Sequence, residues 1–215
     1  MLNGSLFWGE EIFLATDVSR QAAIARGIEL QQRLEASSHP VLRRTGTKAK
    51  AKTLFREIQS YLLNASDQKL IQEPPHEIYS QLRLTPLKDG LFDLSVGDTR
   101  NFKRDPQLPH FTRQDGGWFD FQLLIRETSA GLEILAYDFE LRLLDHSQIS
   151  FVRFDVNPPD HQNEAKALRA HLHLNVDDDG MAVPAPLLSP FEVFDLFIHG
   201  IRSMGRIRRV DRPLS

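Results

Sequence analysis

The sequence predicts an α+β fold, with N-terminal helices and a twisted antiparallel sheet of four or more strands covered by a C-terminal helix. Three observations carry that expectation. From Trp118 onward, apolar residues recur at every second position in runs parted by short turn-forming stretches, which is the period of strands. In the first 70 residues the apolar spacing is helical instead. Near the end of the chain, Ser189, Pro190 and Glu192 stand where an N-cap, a first-turn proline and the partner of a capping box belong.

Taken in order, Leu6, Phe7, Trp8, Ile12, Phe13 and Leu14 form an apolar cluster with helical spacing. A second helical pattern spans 17–36, with Asp17 or Ser19 at its start and Ile24, Ile28 and Leu30–Leu34 as its stripe. Pro40 ends it, because the residue before a proline is pushed out of the helical region. Residues 42–53 are polar and basic, and read as a loop or as the solvated start of a helix. Leu54, Phe55, Ile58, Tyr61 and Leu62 mark a third helix, ending near Asn64 or Ser66. The break Glu73-Pro74-Pro75-His76 divides a helical region, 1–72, from a sheet domain with its C-terminal helix, 73–215, within what is either two units or one compact domain.

Leu82–Leu87 and Leu91–Val96 flank Lys88-Asp89-Gly90, a hairpin signal. The stretch 97–117 is long and irregular for a loop inside a domain. It carries Arg100, Lys103, Arg104, His110 and Arg113, and is read either as a flap or as a disordered insertion. Phe119, Phe121, Leu123 and Ile125 then line one face of a strand, and Thr128–Gly131 is a turn. Leu135, Tyr137, Phe139, Leu141 and Leu143 line the next, with Asp138, Glu140 and Arg142 opposite. After a turn at 145–148, Val152, Phe154 and Val156 face the core, and Leu172, Leu174 and Val176 repeat the theme, closed by Asp177–Gly180. Phe191, Phe194, Phe197, Ile198 and Ile201 give the last helix the apolar stripe that would cover the sheet.

Composition excludes several function classes. The chain has 41% hydrophobic and 26% charged residues, as soluble globular proteins do, and contains no cysteine. Disulfides, thiolate nucleophiles, iron–sulfur clusters and Cys-ligated zinc are thereby removed. The opening MLNGSLFWGEEIF lacks a basic segment and is broken by Glu10 and Glu11, so a signal peptide is not expected. No apolar run approaches a membrane span, and the expected location is the cytoplasm without membrane contact. A net charge of −3 argues against binding nucleic acid by overall charge. Local basic patches remain: Arg43, Arg44, Lys48, Lys50, Lys52 and Arg56, and the tail from Arg202 to Arg212. The first is the candidate nucleic-acid contact. The alternative is a solvated helix end and a frayed terminus.

The chemistry-bearing stretch is 151–175. Arg153 and Asp155 fall on the polar face of one strand, and His171, His173 and Asn175 on that of the next. If the strands are neighbours, the two histidines meet Arg153 and Asp155, and Asp138, Glu140 and Arg142 extend the same surface. Three uses of this face stay open. One is phosphodiester cleavage without a metal, in which one histidine takes a 2′-hydroxyl proton, the other protonates the leaving oxygen, and the arginine stabilises the developing charge. His171, His173, Arg153 and Asp155 are the candidate catalytic residues, and no cofactor is required. Another is a divalent ion held by His171, His173 and Asp155. The last is an ordinary solvated face with cross-strand ion pairs. No P-loop, GxGxxG, HExxH or GxSxG pattern is present.

The order YDFELRLLDHSQISFVRFDVNP, then HLHLN, then an LSPFEVFDLFI helix, resembles the TumE-type toxin family of bacterial toxin–antitoxin systems over about 132–200. Arg153, Asp155, His171 and His173 are the positions that match. The resemblance implies a cytoplasmic toxin, with an antitoxin or another protein as partner and RNA as a candidate target. The chain departs from that pattern in its helical N-terminal region, in the insertion around 97–117, and in the acidic run Asp177–Asp179. The reading that competes with a toxin is a non-catalytic interaction module that binds a protein partner with the same polar face.

Overall fold

The computed structural model describes residues 43–45, 49–98, 100–144, 149–159, 169–175 and 182–201. The patterns read at 5–15, 17–36, 145–148, Val176–Gly180 and the arginine-rich tail lie outside the described residues, as does Lys48. Among the described residues the fold is α+β. A helix α1 (Ala51–Asp67) and a short α2 (Pro75–Gln81) are followed by strands and by a C-terminal helix, α3 (Pro190–Asp195), which runs on into a π-helical turn at Leu196–Gly200. Strands β1 (Arg43–Thr45), β2 (Leu82–Pro86), β3 (Leu91–Val96), β4 (Phe111–Thr112), β5 (Trp118–Thr128), β6 (Gly131–Arg142), β7 (Phe151–Val156), β8 (Ala170–Leu174) and β9 (Val183–Pro184) form one sheet. All of its pairings are antiparallel.

The strand order is β2-β3-β5-β6-β7-β8-β9, with β1 added to β6 and β4 to β5. Both additions follow from length. β7 reaches only Tyr137–Arg142 of β6, which leaves the edge of Gly131–Glu133 to β1. β3 stops at Gln122 of β5, and β4 takes Trp118 and Phe119. The β2–β3 hairpin turns at Asp89 and Gly90, both at positive φ. A side chain at Gly90 would press to 3.0 Å from the Glu127 carbonyl, so the turn suits glycine on two counts.

One side of the sheet carries the core. Phe119 and Phe121 of β5 and Phe139 of β6 meet Phe194 and Phe197 of the C-terminal helix, with Phe139 edge-on to Phe194 at 5.1 Å. Leu54, Ile58 and Leu62 of α1 pack into the same cluster. Ser189 and Glu192 form the expected capping box, through Glu192 N–H to Ser189 Oγ (3.2 Å) and Ser189 N–H to Glu192 Oε2 (2.6 Å). The Tyr61 hydroxyl donates to Asp195 Oδ1 at 2.6 Å and ties α1 to α3.

Several local expectations need correction. Leu135 is not in phase with Tyr137 and Phe139. The β5–β6 register shifts at Leu124/Ile125, pairing Ile125 with Ile134, so Leu135 is the extra residue of a bulge and Ile134 takes the core face. Of residues 42–53, Arg43–Thr45 form β1 and α1 begins at Ala51, while 42 and 46–48 lie outside the described residues. That helix has no local cap: the Ala51 N–H donates to Glu127 Oε1 on β5 at 2.7 Å. Within 97–117 a strand, β4, forms, and Arg113 donates to the Phe197 carbonyl at 2.6 Å and also to that of Ile201, which fastens the helix end.

Candidate functional site: the polar face of the sheet

The alternation that sends phenylalanines to the core sends charged residues to the other side of the same strands. The register lines them up in two rows. Gln122, Asp138, Asp155 and His171 lie abreast across β5, β6, β7 and β8. Asp120, Glu140, Arg153 and His173 form the next row. The sequence-predicted residues Arg153, Asp155, His171 and His173 are thus direct cross-strand neighbours, and Asp138, Glu140 and Arg142 continue the surface as expected. Asn175 does not belong to it. It lies past the end of β8 at positive φ, where its side-chain oxygen accepts from the Ser150 and Phe151 N–H groups.

This face is not solvated. His171 and His173 are 2% and 0% exposed, and Arg153, Asp155, Glu140, Arg142 and Asp120 are buried as well. The cover is the 97–117 segment. Arg100 pairs with Asp138, and Arg104 makes a two-pronged contact with Glu140 at 2.6 and 3.2 Å while its guanidinium lies 3.6 Å over the Phe151 ring. Arg142 bridges Asp120 (2.8 Å) and Glu140 (3.0 Å), donates to the Asn101 carbonyl at 3.1 Å and lies over Trp118. Asn101 fixes the segment's turn by bonding both the carbonyl and the N–H of Asp105 at 2.8 Å.

Asp155 is the hub. Arg153 Nε donates to its Oδ2 at 2.9 Å, and the Nε2 atoms of His171 and His173 approach the same oxygen at 3.4 and 3.3 Å. Burial by itself would raise the Asp155 pKa. The two imidazoles and Arg153 outweigh it and hold the carboxyl well below the usual carboxylate range. Asp120 goes the other way: burial raises it more than Arg142 lowers it. Burial also pulls the Arg100 guanidinium down from its ordinary value. Beside the hub is a cavity of about 430 Å³, lined by Arg153, Asp155, His171, Asp138, Arg100 and Phe102 among others. Phe102 is 68% exposed, with the Arg100 guanidinium 4.2 Å from its ring. His171 reaches this cavity and His173 does not.

No family model matches the chain, and no curated protein or solved structure shows a significant match. The site therefore has to be read from its own chemistry. Asp155, His171 and His173 offer donor atoms all within 4.8 Å of one another and could hold a metal ion. The basic patch is elsewhere. Arg43 and Arg44 are on β1, opposite Glu133 and Leu132 of β6, five residues or about 17 Å of strand from Asp138. Lys50 pairs with Glu127 at 3.4 Å, and Lys52 is exposed on α1. Among the described residues no helix is long and apolar enough to cross a membrane.

Asp120, Asn101 and Phe102 were not among the candidates. Asp120 had a signal, since Trp118, Asp120 and Gln122 alternate with Phe119, Phe121 and Leu123. Asn101 and Phe102 had none, because a cover made of turns has no period.

Proposed function

We propose that this is a toxin-like protein of a prokaryotic toxin–antitoxin or defence module, cytoplasmic, that acts on single-stranded RNA at the cavity beside Asp155. The observation that carries the reading is the pairing of two unlike parts. A buried His–Asp–Arg cluster forms one wall, and an exposed aromatic ring with an arginine above it stands at the mouth. A nucleobase stacked on an aromatic side chain is worth about 1–3 kcal/mol and needs no particular sequence. With a base on Phe102, the adjoining phosphate faces Arg100 and Arg153, whose charge suits a phosphorane-like intermediate. The neighbouring 2′-hydroxyl then meets the cluster at His171, which takes its proton; the 2′-oxygen bonds to phosphorus as the P–O5′ bond breaks, and the leaving 5′-oxygen takes a proton back from the His171 imidazolium or from water. His173, which has no access to the cavity, supports Asp155 and His171. A cognate antitoxin is the partner this reading requires.

A second reading is favoured by charge balance. Asp120, Asp138, Glu140 and Asp155 each have an arginine against them, as in a structural network. On that reading the face only shapes a surface for a protein partner. Expression alone separates the two. A toxin arrests growth, and the His171→Ala/His173→Ala variant relieves the arrest at equal abundance with an unchanged far-ultraviolet dichroism spectrum. Phe102→Ala, an exposed position, weakens binding of a single-stranded oligoribonucleotide by about 5- to 100-fold. Persistent toxicity of the double histidine variant would reject the catalytic reading. A harmless chain that co-purifies with a stoichiometric protein would favour the interaction module.

A further inference from the structure

We infer that Asp155, His171 and His173 form a site for one first-row divalent transition-metal ion, with zinc the best fit. The inference rests on that reading for its ligand and changes the group that does the work: an ion on His171 Nε2 would take the place of the imidazole in activating the 2′-hydroxyl, and the metal site itself stands or falls on binding alone.

The backbone sets the three ligands. His171 and His173 are two apart on β8 and so share a face, and Asp155 is the register partner of His171 on β7. All three residues are at least nine-tenths buried. Paired strands on both sides hold the positions, so little has to be ordered when an ion arrives.

The distances suit a cation better than they suit hydrogen bonds. Nitrogen–oxygen hydrogen bonds centre near about 2.9–3.0 Å. Both imidazoles instead point Nε2 at a single oxygen, Asp155 Oδ2, from 3.4 and 3.3 Å. An ion bound tetrahedrally with bonds of about 2.0–2.1 Å puts its ligand atoms about 3.3–3.4 Å apart. Two edges of such a polyhedron are therefore already in place. The rings are 4.8 Å apart between centroids and inclined at 71°, which lets both nitrogens converge without stacking.

An unpartnered oxygen points the same way. Asp155 Oδ1 is buried and has no hydrogen-bond partner. A buried acceptor left without a donor is costly, and an ion or its bound water would satisfy Oδ1. Arg153, donating to Oδ2 at 2.9 Å, orients the carboxylate as supporting residues commonly do around metal ligands.

Ligand type selects the ion. Two imidazoles and a carboxylate suit zinc and its first-row neighbours, whereas magnesium and calcium favour all-oxygen sets. Three protein ligands leave a position open, and Asp155 and His171 line the 430 Å³ cavity onto which it would open. The ligand expected there is an oxygen of water or of a phosphate.

The test uses the full chain, purified without chelator, analysed for bound metal, stripped with EDTA and titrated calorimetrically with Zn²⁺ and Co²⁺. We expect one equivalent per chain, and Co²⁺ should give visible d–d absorption typical of four or five ligands. His171→Gln, His173→Gln and Asp155→Asn should each weaken binding at least about tenfold, with a melting transition showing that the variant is folded. Failure of the folded wild-type chain to take up one equivalent would overturn the site. So would unchanged binding in the His171→Gln/His173→Gln chain, since the ion would then be on other histidines. A chain that takes up no ion yet cleaves RNA overturns the metal site and leaves the functional reading in place. A chain that takes up one ion at these residues and cleaves no RNA does the reverse.

Discussion

The two faces of β5, β6 and β7 are built from the same strands and solve opposite problems. On one side Phe119, Phe121, Phe139 and Phe154 lie under α1 and the C-terminal helix. On the other, Asp138, Glu140 and Arg142 meet Arg100, Arg104 and Asn101, with Asp120, Arg153 and Asp155 buried beside them. Both faces are buried. The aromatic face is stabilised by area and packing, which tolerate rearrangement. The charged face is stabilised only as a set, because a buried ion without its counter-ion is expensive. Function can reside on only one of them: a packed aromatic face has no spare valence, whereas a charge network that leaves the buried Asp155 Oδ1 without a donor does.

The sharpest way to break this contrast is to injure each face once. Phe194, fully buried among Phe119, Phe121 and Phe139, loses about 3–5 kcal/mol of stability as Phe194→Ala, read by chemical denaturation. Arg142→Met on the charged face costs a similar amount, about 3–5 kcal/mol, by stranding Asp120 and depriving Glu140 of one of its arginines. The remedies differ. Adding Asp120→Asn to Arg142→Met recovers part of the loss, because the stranded charge is gone. Removing a neighbour of Phe194 only enlarges the cavity. If Asp120→Asn makes Arg142→Met worse, the charged face is held by packing and the contrast fails.

A smaller effect separates groups by pH. The folded pKa of Asp155 is depressed, so its contribution is fully present above the ordinary aspartate value of about 4 and is lost as pH falls from there toward the folded pKa. Glu73 behaves oppositely. Burial raises its pKa despite the N–H of Thr112 donating to Oε1 at 2.7 Å. Its contribution is full below the unfolded value and is lost as pH rises through the raised folded one. The destabilisation by Asp155→Asn should therefore be greatest at neutral pH and narrow below about pH 4. Glu73→Gln should gain on the wild type as pH rises from about 4 toward neutrality. Urea titrations at pH 3, 4, 5 and 7 read both. Parallel pH profiles for the two variants would show that neither carboxyl is coupled to folding in the way its surroundings dictate.

Much of this was legible in the sequence, and what was not has a common cause. Alternation placed Asp138, Glu140, Arg153, Asp155, His171 and His173 on one side of consecutive strands, and the β2–β3 turn and the capping box at Ser189 were spelled out locally. Alternation does not say whether a polar face meets water. Here it meets Arg100 and Arg104, 38 and 36 residues before the acids they pair with, Asp138 and Glu140. The start of α1 was obscure because its first N–H is capped by Glu127, 76 residues later. The bulge at Leu135 left no mark, since leucine suits either phase. In each case the deciding contact is distant in sequence, and local pattern has no access to it.

The two covers offer the finest comparison. Each is fastened by one side chain that bonds its own backbone: Ser189 at the start of α3, and Asn101, 3% exposed, at the turn that places the Arg142-bound carbonyl. Ser189→Ala should cost about 1 kcal/mol, the usual worth of a cap. Asn101→Ala should cost about 1–2 kcal/mol, the range for a buried bond lost with its partner left behind. Hydrogen exchange distinguishes them better than global stability does. Asn101→Ala should speed exchange within 100–110 and leave α3 at its wild-type rate, and Ser189→Ala should do the converse, because segments open as local units. The charged face would then open to solvent while the aromatic face stays shut, which is what admission of a ligand to the cavity requires. If Asn101→Ala instead speeds exchange over both covers equally, the faces open as one unit, and the polar face is no more accessible than the core.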